Sequence, residues 1–554
     1  MIKSSHSYFL SSVSRKILFS CGFFVYKIVH MKEMRDETMS MINVSNLTFA
    51  YEGSYDDIFE NVSFQIDTDW KLGFIGRNGR GKTTFLNLLL GKYSYSGTIS
   101  TDRKFEYFPY EVEDKKEMTI SVVQNICPEC EDWEIMKEVS LLEVDVEALY
   151  RPFETLSNGE QTKVLLAALF LGSSKYLLID EPTNHLDGDG RKVIGNYLKR
   201  KKGFILVSHD RNLLDSCVDH ILSINKTNIE IQSGNFSSWW HNKQLQDDFE
   251  LAENEKLKKE IGRLSAASKR SANWSDQVEK SKIGQTNSGS KLDRGFVGHK
   301  AAKMMKRAKS LESRQKEAME QKSRLLHNIE EHDSLKLAPL KYMKDVLVEA
   351  RDLSLFYGEM CVCRDIRMEV HQGDRIAITG KNGCGKSTLL KAIFGREMKD
   401  KTLDEKQLHD EMPDEKRDRG DIKYNGTLRV GSGLKISYVS QDTSHLRGSL
   451  TDYAWERGID ESLFKTILRK LGFERVQFEK DMADFSGGQK KKVLIAASLS
   501  ESAHLYVWDE PLNFLDVFSR MQIEELILEY KPTLLFVEHD ASFQEKIGTK
   551  VCRL

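Results

Sequence analysis

Twice in this chain a glycine-rich loop stands between an apolar strand and an apolar helix. Gly76-Arg-Asn78-Gly79-Arg-Gly81-Lys82-Thr83-Thr84 follows Leu72–Ile75 and precedes a run beginning at Phe85. Gly380-Lys-Asn382-Gly383-Cys-Gly385-Lys386-Ser387-Thr388 follows Ile376, Ala377 and Ile378 and precedes a run beginning at Leu389. That strand–loop–helix context is what a phosphate-binding loop requires. The glycines let backbone N–H groups close around phosphate oxygens, and the helix N-terminus adds positive potential. Lys82 and Lys386 are placed to reach the β- and γ-phosphates, and Thr83 and Ser387 to hold Mg2+ through their hydroxyls. An internal repeat of this kind constrains the fold more than any other feature: the chain is α/β, with two phosphate-loop domains in tandem.

A second repeated element supports the first. Lys175-Tyr-Leu-Leu-Ile-Asp180-Glu181-Pro and His504-Leu-Tyr-Val-Trp-Asp509-Glu510-Pro are short apolar runs ending in a carboxylate pair. Their length and composition predict buried parallel strands. Such strands deliver Asp180 and Asp509 to the carboxyl edge of the sheet to orient magnesium. Glu181 and Glu510 follow, placed to polarise an attacking water. Asp180 lies 98 residues beyond Lys82 and Asp509 lies 123 beyond Lys386. A charged insert at about Glu397–Asp421 accounts for nearly all of the difference, and it reads as a solvated loop.

Composition excludes little but bounds the rest. The 554 residues are too many for one core and suit two domains plus a connector. Lysine and arginine (82) nearly balance aspartate and glutamate (84), so a nucleic-acid partner must be sought locally. No run reaches the roughly 18 apolar residues of a membrane span. The eight cysteines are scattered, which suits a reducing compartment. Cys127-Pro-Glu-Cys130 has metal-like spacing but no second such pair, so it reads as two ordinary thiols. Residues 1–40 contain a short apolar stretch at Ile17–Tyr26 that resembles a signal-peptide core. Met31, Met34, Met39 and Met41 follow at once, and they favour an upstream extension that is not part of the native protein.

The local charge lies between the repeats. Residues 251–330 hold 19 Lys/Arg and 10 Asp/Glu, with no proline. Leu251, Leu257, Ile261 and Leu264 recur at helical spacing, as do Met304, Leu311, Ala318 and Leu325. The pattern predicts a helix over about 240–282, a polar turn, and a returning helix over about 298–331. A basic hairpin with arms of about 50–60 Å suits a phosphate-rich target, and a solvated spacer is the plain alternative.

Leu156-Ser157-Asn158-Gly159-Glu160-Gln161 and Phe485-Ser486-Gly487-Gly488-Gln489 each place their serine 23 residues before the aspartate of its strand. They resemble the signature loop of ATP-binding cassettes. That resemblance implies a head-to-tail pair in which Ser157 serves the ATP on Lys386 and Ser486 the ATP on Lys82. It implies switch histidines at His209 and His539, and coupling aspartates at Asp187 and Asp516. It implies adenine-stacking tyrosines at Tyr51 (with Tyr55 as a rival) and Tyr357, and a metal-ligating Gln441. Two departures stand out. Asn158 replaces a glycine but tolerates left-handed backbone angles, and Tyr110 stands where Gln441 has its counterpart.

Two cassettes joined by a charged helical linker, without membrane spans, are similar to the ABC-F ATPases, which act on ribosomes. Ser233-Gly-Asn-Phe-Ser-Ser-Trp-Trp240 resembles their passage from first cassette to linker. Asp293–Arg307 and Tyr506–Asn513 resemble the antibiotic-resistance branch, of the lincosamide, streptogramin A and pleuromutilin type. The resemblance implies cassettes at about 41–240 and 344–554 and a linker at 241–343. It implies a cytoplasmic protein without a stable membrane partner, a monomer whose cassettes pair internally. It would bind large-subunit rRNA near the exit-site tRNA. The linker tip, about 283–296 with Lys291, Arg294 and Phe296, becomes the effector, although Phe296 equally suits capping the hairpin's own core. A large arm after the first cassette's metal-binding loop has no room. The alternatives are a housekeeping translation factor of the same family, a transporter ATPase and a DNA-repair cassette protein. The position of the basic hairpin, between two complete cassettes, argues against the last two.

Overall fold

The computed structural model describes residues 40–52, 57–172, 175–184, 186–224, 229–280, 294–325, 339–402, 422–473 and 475–554. The N-terminal extension to residue 39, Tyr55, Lys291, most of the predicted tip and most of the charged insert lie outside them.

The first half runs β1 (Met41–Phe49), β2 (Phe59–Asp67), β3 (Lys71–Gly76), α1 (Lys82–Leu89), β4 (Ser96–Ser100), β5 (Lys104–Phe108), α2 (Thr119–Ile126), α3 (Asp132–Leu141), α4 (Asn158–Leu169), β6 (Lys175–Asp180), α5 (Gly188–Lys199), β7 (Phe204–Val207), α6 (Arg211–Cys217), β8 (His220–Ile224) and β9 (Ile229–Ser233). The linker follows as α7 (Phe236–Lys280) and α8 (Arg294–Leu325). The second half repeats the pattern: β10 (Val346–Tyr357), β11 (Met360–His371), β12 (Arg375–Thr379), α9 (Lys386–Thr402), β13 (Ile422–Val430), β14 (Ile436–Val439), α10 (Leu450–Glu456), α11 (Glu461–Lys470), α12 (Gly487–Ser500), β15 (Leu505–Asp509), α13 (Val517–Tyr530), β16 (Leu534–Val537), α14 (Ala541–Ile547) and β17 (Lys550–Arg553).

The main sheets have the orders β5-β6-β7-β3-β8-β9 and β14-β15-β16-β12-β17. Pairing is parallel except at β8–β9. Each sheet faces a three-stranded antiparallel sheet, β2-β1-β4 or β11-β10-β13. The runs Lys175–Asp180 and Leu505–Asp509 are central strands, buried along nearly their whole length, as their unbroken apolar character requires. In both sheets the phosphate-loop strand and the carboxylate strand are separated by one strand. Lys82 and Asp180, and likewise Lys386 and Asp509, therefore meet at one edge.

The hydrophobic core of the first cassette does not stop at its own residues. Val517 and Met521 of α13 pack into the same buried cluster as Trp239, Phe236, Leu213 and Leu214. Trp239 and Trp240, at the root of α7, lie edge-on to Phe518 with ring centroids 6.1 and 6.3 Å away.

The linker helices pair along their length, with Leu257 and Ala318 buried. Their boundaries correct the sequence reading: α7 begins at Phe236, and α8 begins at Arg294. Arg294 and Phe296 thus belong to a helical turn rather than to a polar loop. Leu251 is exposed and is not part of the seam. The half-buried and buried positions 254, 257, 261, 264 and 268 recur instead at heptad spacing. Cys127 and Cys130 are joined in a disulfide, so they are not two separate thiols. Among the described residues no helix is long and apolar enough to cross a membrane.

Candidate nucleotide sites

Each phosphate loop wraps its lysine in backbone carbonyls. Lys82 Nζ donates to Gly76 O (2.7 Å), to Arg77 O (3.2 Å) and to Asn78 Oδ1 (3.3 Å). Lys386 Nζ donates to Gly380 O (2.9 Å) and Lys381 O (3.0 Å). Glycine is obligatory just before each lysine. Gly81 has φ 92°, and an added Cβ would lie 2.6 Å from Ile58 Cγ2. Gly385 has φ 94°, with Val362 Cγ1 at 2.8 Å.

The hydroxyls assigned to magnesium meet the strand-end aspartates. Thr83 Oγ1 donates to Asp180 Oδ2 (3.2 Å), and Ser387 Oγ to Asp509 Oδ1 (3.0 Å). Asp509 Oδ2 is buried without a hydrogen-bond partner, as suits a group awaiting a hydrated cation. Burial pushes Asp509 up to about 6, with the Ser387 hydrogen bond pulling the other way. Thr83 with Asp180, and Ser387 with Asp509 and Gln441, fit a magnesium that keeps several waters and takes phosphate oxygens as further ligands.

Glu181 and Glu510 both adopt left-handed backbone angles, φ 49° and 46°. Such angles are strained for a side chain with a Cβ and cluster at functional sites. Each carboxylate faces its switch histidine: Glu181 Oε1 lies 3.5 Å from His209 Nε2, and Glu510 Oε1 lies 3.4 Å from His539 Nε2. Beyond that the two sites differ. Glu510 Oε2 accepts from Gln441 Nε2 (2.8 Å) and Asn513 Nδ2 (2.6 Å). Burial alone would raise its pKa, but His539 beside it, with Lys491 and Lys386, outweighs burial and holds the carboxyl below the usual range. Glu181 Oε1 has no hydrogen-bond partner. Burial, with Asp180 beside it, pushes Glu181 up to about 8 against the pull of Arg520 and Lys82.

Tyr110 does not reach the first site's carboxylates; it packs on the helical core. Tyr107, on the preceding strand, fills part of the gap by donating its hydroxyl to Asp180 Oδ2 (3.1 Å). Tyr51 leans on the first loop through a 2.8 Å hydroxyl contact with Thr84, and Tyr357 ends β10, partly exposed.

The signature loops are capping boxes. Ser157 exchanges bonds with Glu160, and Ser486 with Gln489, at the N-termini of α4 and α12. Neither Asn158 nor Gly487 has a positive φ. Asparagine in place of glycine at 158 therefore draws on no left-handed tolerance, contrary to expectation.

The loops also cross between halves. Ser157, Asn158 and Gly159 share one cleft of about 770 Å3 with Lys381–Gly383, Lys386, Ser387, Gln441, Glu510 and His539. In the other direction Asn78 Nδ2 donates to Phe514 O (2.7 Å) and Asn78 N to Asp516 Oδ2 (3.4 Å). An added Cβ on Gly488 would lie 3.1 Å from Asn78 Nδ2. The Ser157 loop thus lies across the interface from the Lys386 loop, and Gly488, Phe514 and Asp516 lie across it from Asn78.

The ABC transporter family pattern matches residues 59–184 and 363–513. The chain belongs to that family. It is an ATPase with two cassettes, and its relatives are ATP-binding proteins of the ABC-F type. It is 27% identical over 532 residues to the ATP-binding protein Uup of Buchnera aphidicola, covering 92% of this chain and 80% of that protein. It is 27% identical over 529 residues to the ribosome protection protein VmlR of Bacillus subtilis, covering 92% and 85%. A crystal structure of the archaeal ribosome recycling factor aABCE1 with the ribosomal stalk protein aP1 superposes with TM-score 0.56 at 18% identity, covering 92% and 87% of the two chains. That likeness establishes the tandem-cassette fold alone.

Four features of the site escaped the sequence reading: the Tyr107–Asp180 bond, the Asn513–Glu510 bond, the Phe518–Trp239/Trp240 contact and a buried ion pair between Arg211 and Glu524. Only the Trp-Trp doublet was conspicuous in the sequence. The others depend on pairing across elements that no local pattern announces.

Proposed function

We propose that this ATPase binds the ribosome with its cassettes closed on ATP and protects it from drugs acting at the peptidyl-transferase centre. The linker tip displaces the drug, and hydrolysis releases the protein. The observation that carries the reading is the rooting of a long basic hairpin directly in the interface between two composite nucleotide sites, through Trp239, Trp240 and Phe518. The similarity to VmlR, named as a ribosome protection protein, supports the target.

In this reading Lys82 and Lys386 bind the β- and γ-phosphates, and Ser157 and Ser486 reach the γ-phosphate held by the opposite cassette. Thr83 with Asp180, and Ser387 with Asp509 and Gln441, orient magnesium, which supplies charge neutralisation on the phosphates when bound. Glu181 and Glu510 act as general bases on water, and His209 and His539 contact the γ-phosphate. Asp187 and Asp516 couple the two sites. Lys291, Arg294 and Phe296 act at the tip against rRNA and tRNA. The protein works in the cytoplasm as a monomer, with cassettes at about 41–240 and 344–554.

The test is drug susceptibility in a sensitive Gram-positive host expressing the chain, against a lincosamide, a pleuromutilin and streptogramin A. Resistance that disappears in the Glu181→Gln/Glu510→Gln variant is the expected result. Unchanged susceptibility with good expression would remove the protection reading. It would favour a housekeeping translation factor, a reading that the equal similarity to Uup keeps in play.

A further inference from the structure

The interface between the cassettes is built differently at its two ends. At the end carrying Lys82, Arg211 of α6 reaches into the second cassette. Its guanidinium binds Glu524 of α13 through both terminal nitrogens, one at 3.1 Å, and lies 3.9 Å from Asp540. Glu524 and Asp540 are wholly buried. Glu524 also accepts from Lys546 (3.1 Å), and Asp540 from Arg520 (3.3 Å). Arg77 of the first phosphate loop stacks its guanidinium 5.9 Å over Phe518. Val517 and Met521 continue the first cassette's core, and Asp516 is buried against Lys492 at 3.0 Å.

At matching positions of the other end only the Arg520–Asp540 bond has a counterpart, Arg191 to Asp210 (3.2 Å); among the described residues the contacts that cross between the cassettes have none there. Ala541 stands where Arg211 does, Gly195 where Glu524 does, and Asp189 where Phe518 does. The counterparts of the buried Lys492 and Asp516, Lys163 and Asp187, are partly exposed and line the cleft. Gly488 is buried, and a Cβ on it would strike Phe514 O at 2.6 Å. On its counterpart Gly159 the Cβ would meet only Leu186 Cδ2, at 3.2 Å. Lys381, Asn382 and Gly383 are exposed, whereas Arg77 and Asn78 are half-covered.

We propose that the cassettes hinge at one end only: the end carrying Lys82 and Ser486 stays joined, and the Lys386–Ser157 cleft is where nucleotide enters and product leaves in each cycle. This rests on the reading of two composite nucleotide sites and assigns exchange to one of them. Arg211, Glu524 and Phe518 are positioning residues, which set the opening of the first site through the interface rather than by touching nucleotide. A bidentate, desolvated pair of this kind governs dissociation rather than encounter, and it does so at a single end.

The test is displacement of a fluorescent ATP analogue, mant-ATP, from the full chain by excess ATP in stopped flow. Two phases are expected, a fast one lost in Lys386→Met and a slow one lost in Lys82→Met. The Arg211→Met/Glu524→Gln variant removes both charges of the pair, so no lone charge is left buried. It should speed the slow phase by roughly tenfold or more and leave the fast phase in place. A purely structural role would lower the melting temperature and alter both phases alike, which would overturn the proposal. Should that variant not fold by circular dichroism, Phe518→Leu is expected to give the same selective acceleration. Equal exchange rates at the two sites, or a slow phase that belongs to Lys386, would overturn the proposal while leaving the nucleotide sites standing. A wild-type chain that binds no analogue would overturn the nucleotide-site assignment and this inference with it.

Discussion

Glu181 and Glu510 occupy matching positions, yet their surroundings ionise them differently. Glu181 is pushed up to about 8, whereas Glu510 is held below the usual carboxylate range. A general base works only when ionised. Hydrolysis left to the first site, in the Glu510→Gln variant, should therefore rise as pH climbs from 7 through about 8. Hydrolysis left to the second site, in Glu181→Gln, should already be flat there. Phosphate release against pH in the two variants checks this, and identical profiles would refute it. At the same scale, Arg211→Met alone strands Glu524 with only the half-exposed Lys546 as partner. Breaking a buried pair costs about 3–5 kcal/mol, and Lys546 places this case at about 3 kcal/mol. The double variant with Glu524→Gln should recover most of that in chemical denaturation.

Helices and strands were the most legible part of the sequence, and the reasons are local. The phosphate-loop strands and the carboxylate strands were found from unbroken apolar runs that only a central parallel strand buries so completely. The capping boxes of α4 and α12 went unread, although Ser157 with Glu160 and Ser486 with Gln489 are spaced for reciprocal bonds. Linker boundaries were misplaced by about four residues because polar coiled-coil helices carry weak punctuation. Leu251 was misassigned because hydrophobicity alone does not fix which side of a long helix meets its partner. Head-to-tail pairing came only from the family resemblance, and no residue pattern revealed which other side chains meet between halves: Arg211 and Glu524 are 313 residues apart, and each looks like an ordinary surface charge in sequence. Trp239 is the element-scale test. It is 2% exposed and shared between the first cassette's core and α13. Trp239→Ala should cost about 3–5 kcal/mol, read by thermal melting. The loss should fall on the first cassette and linker root together, and a change below about 1 kcal/mol would show that the doublet is not structural.

For the whole molecule, blocking hydrolysis at both sites should fix the closed form. Glu181→Gln/Glu510→Gln is expected to accumulate on ribosomes with ATP in sucrose-gradient sedimentation, with the wild-type chain largely free. Equal distributions would detach the ATP cycle from ribosome binding. The root of α7 gives that cycle a mechanical reading. Phe518 touches Arg77 as well as Trp239 and Trp240, so the arm is rooted where the two cassettes meet. A helix of 45 residues is about 68 Å long at ~1.5 Å per residue. A turn of about 5° at its foot therefore sweeps its far end through about 6 Å, close to the pitch of one helical turn. The arm acts as an amplifier whose gain is set by length alone, so shortening α7 by whole heptads would scale down the stroke in proportion and leave the chemistry at its base untouched.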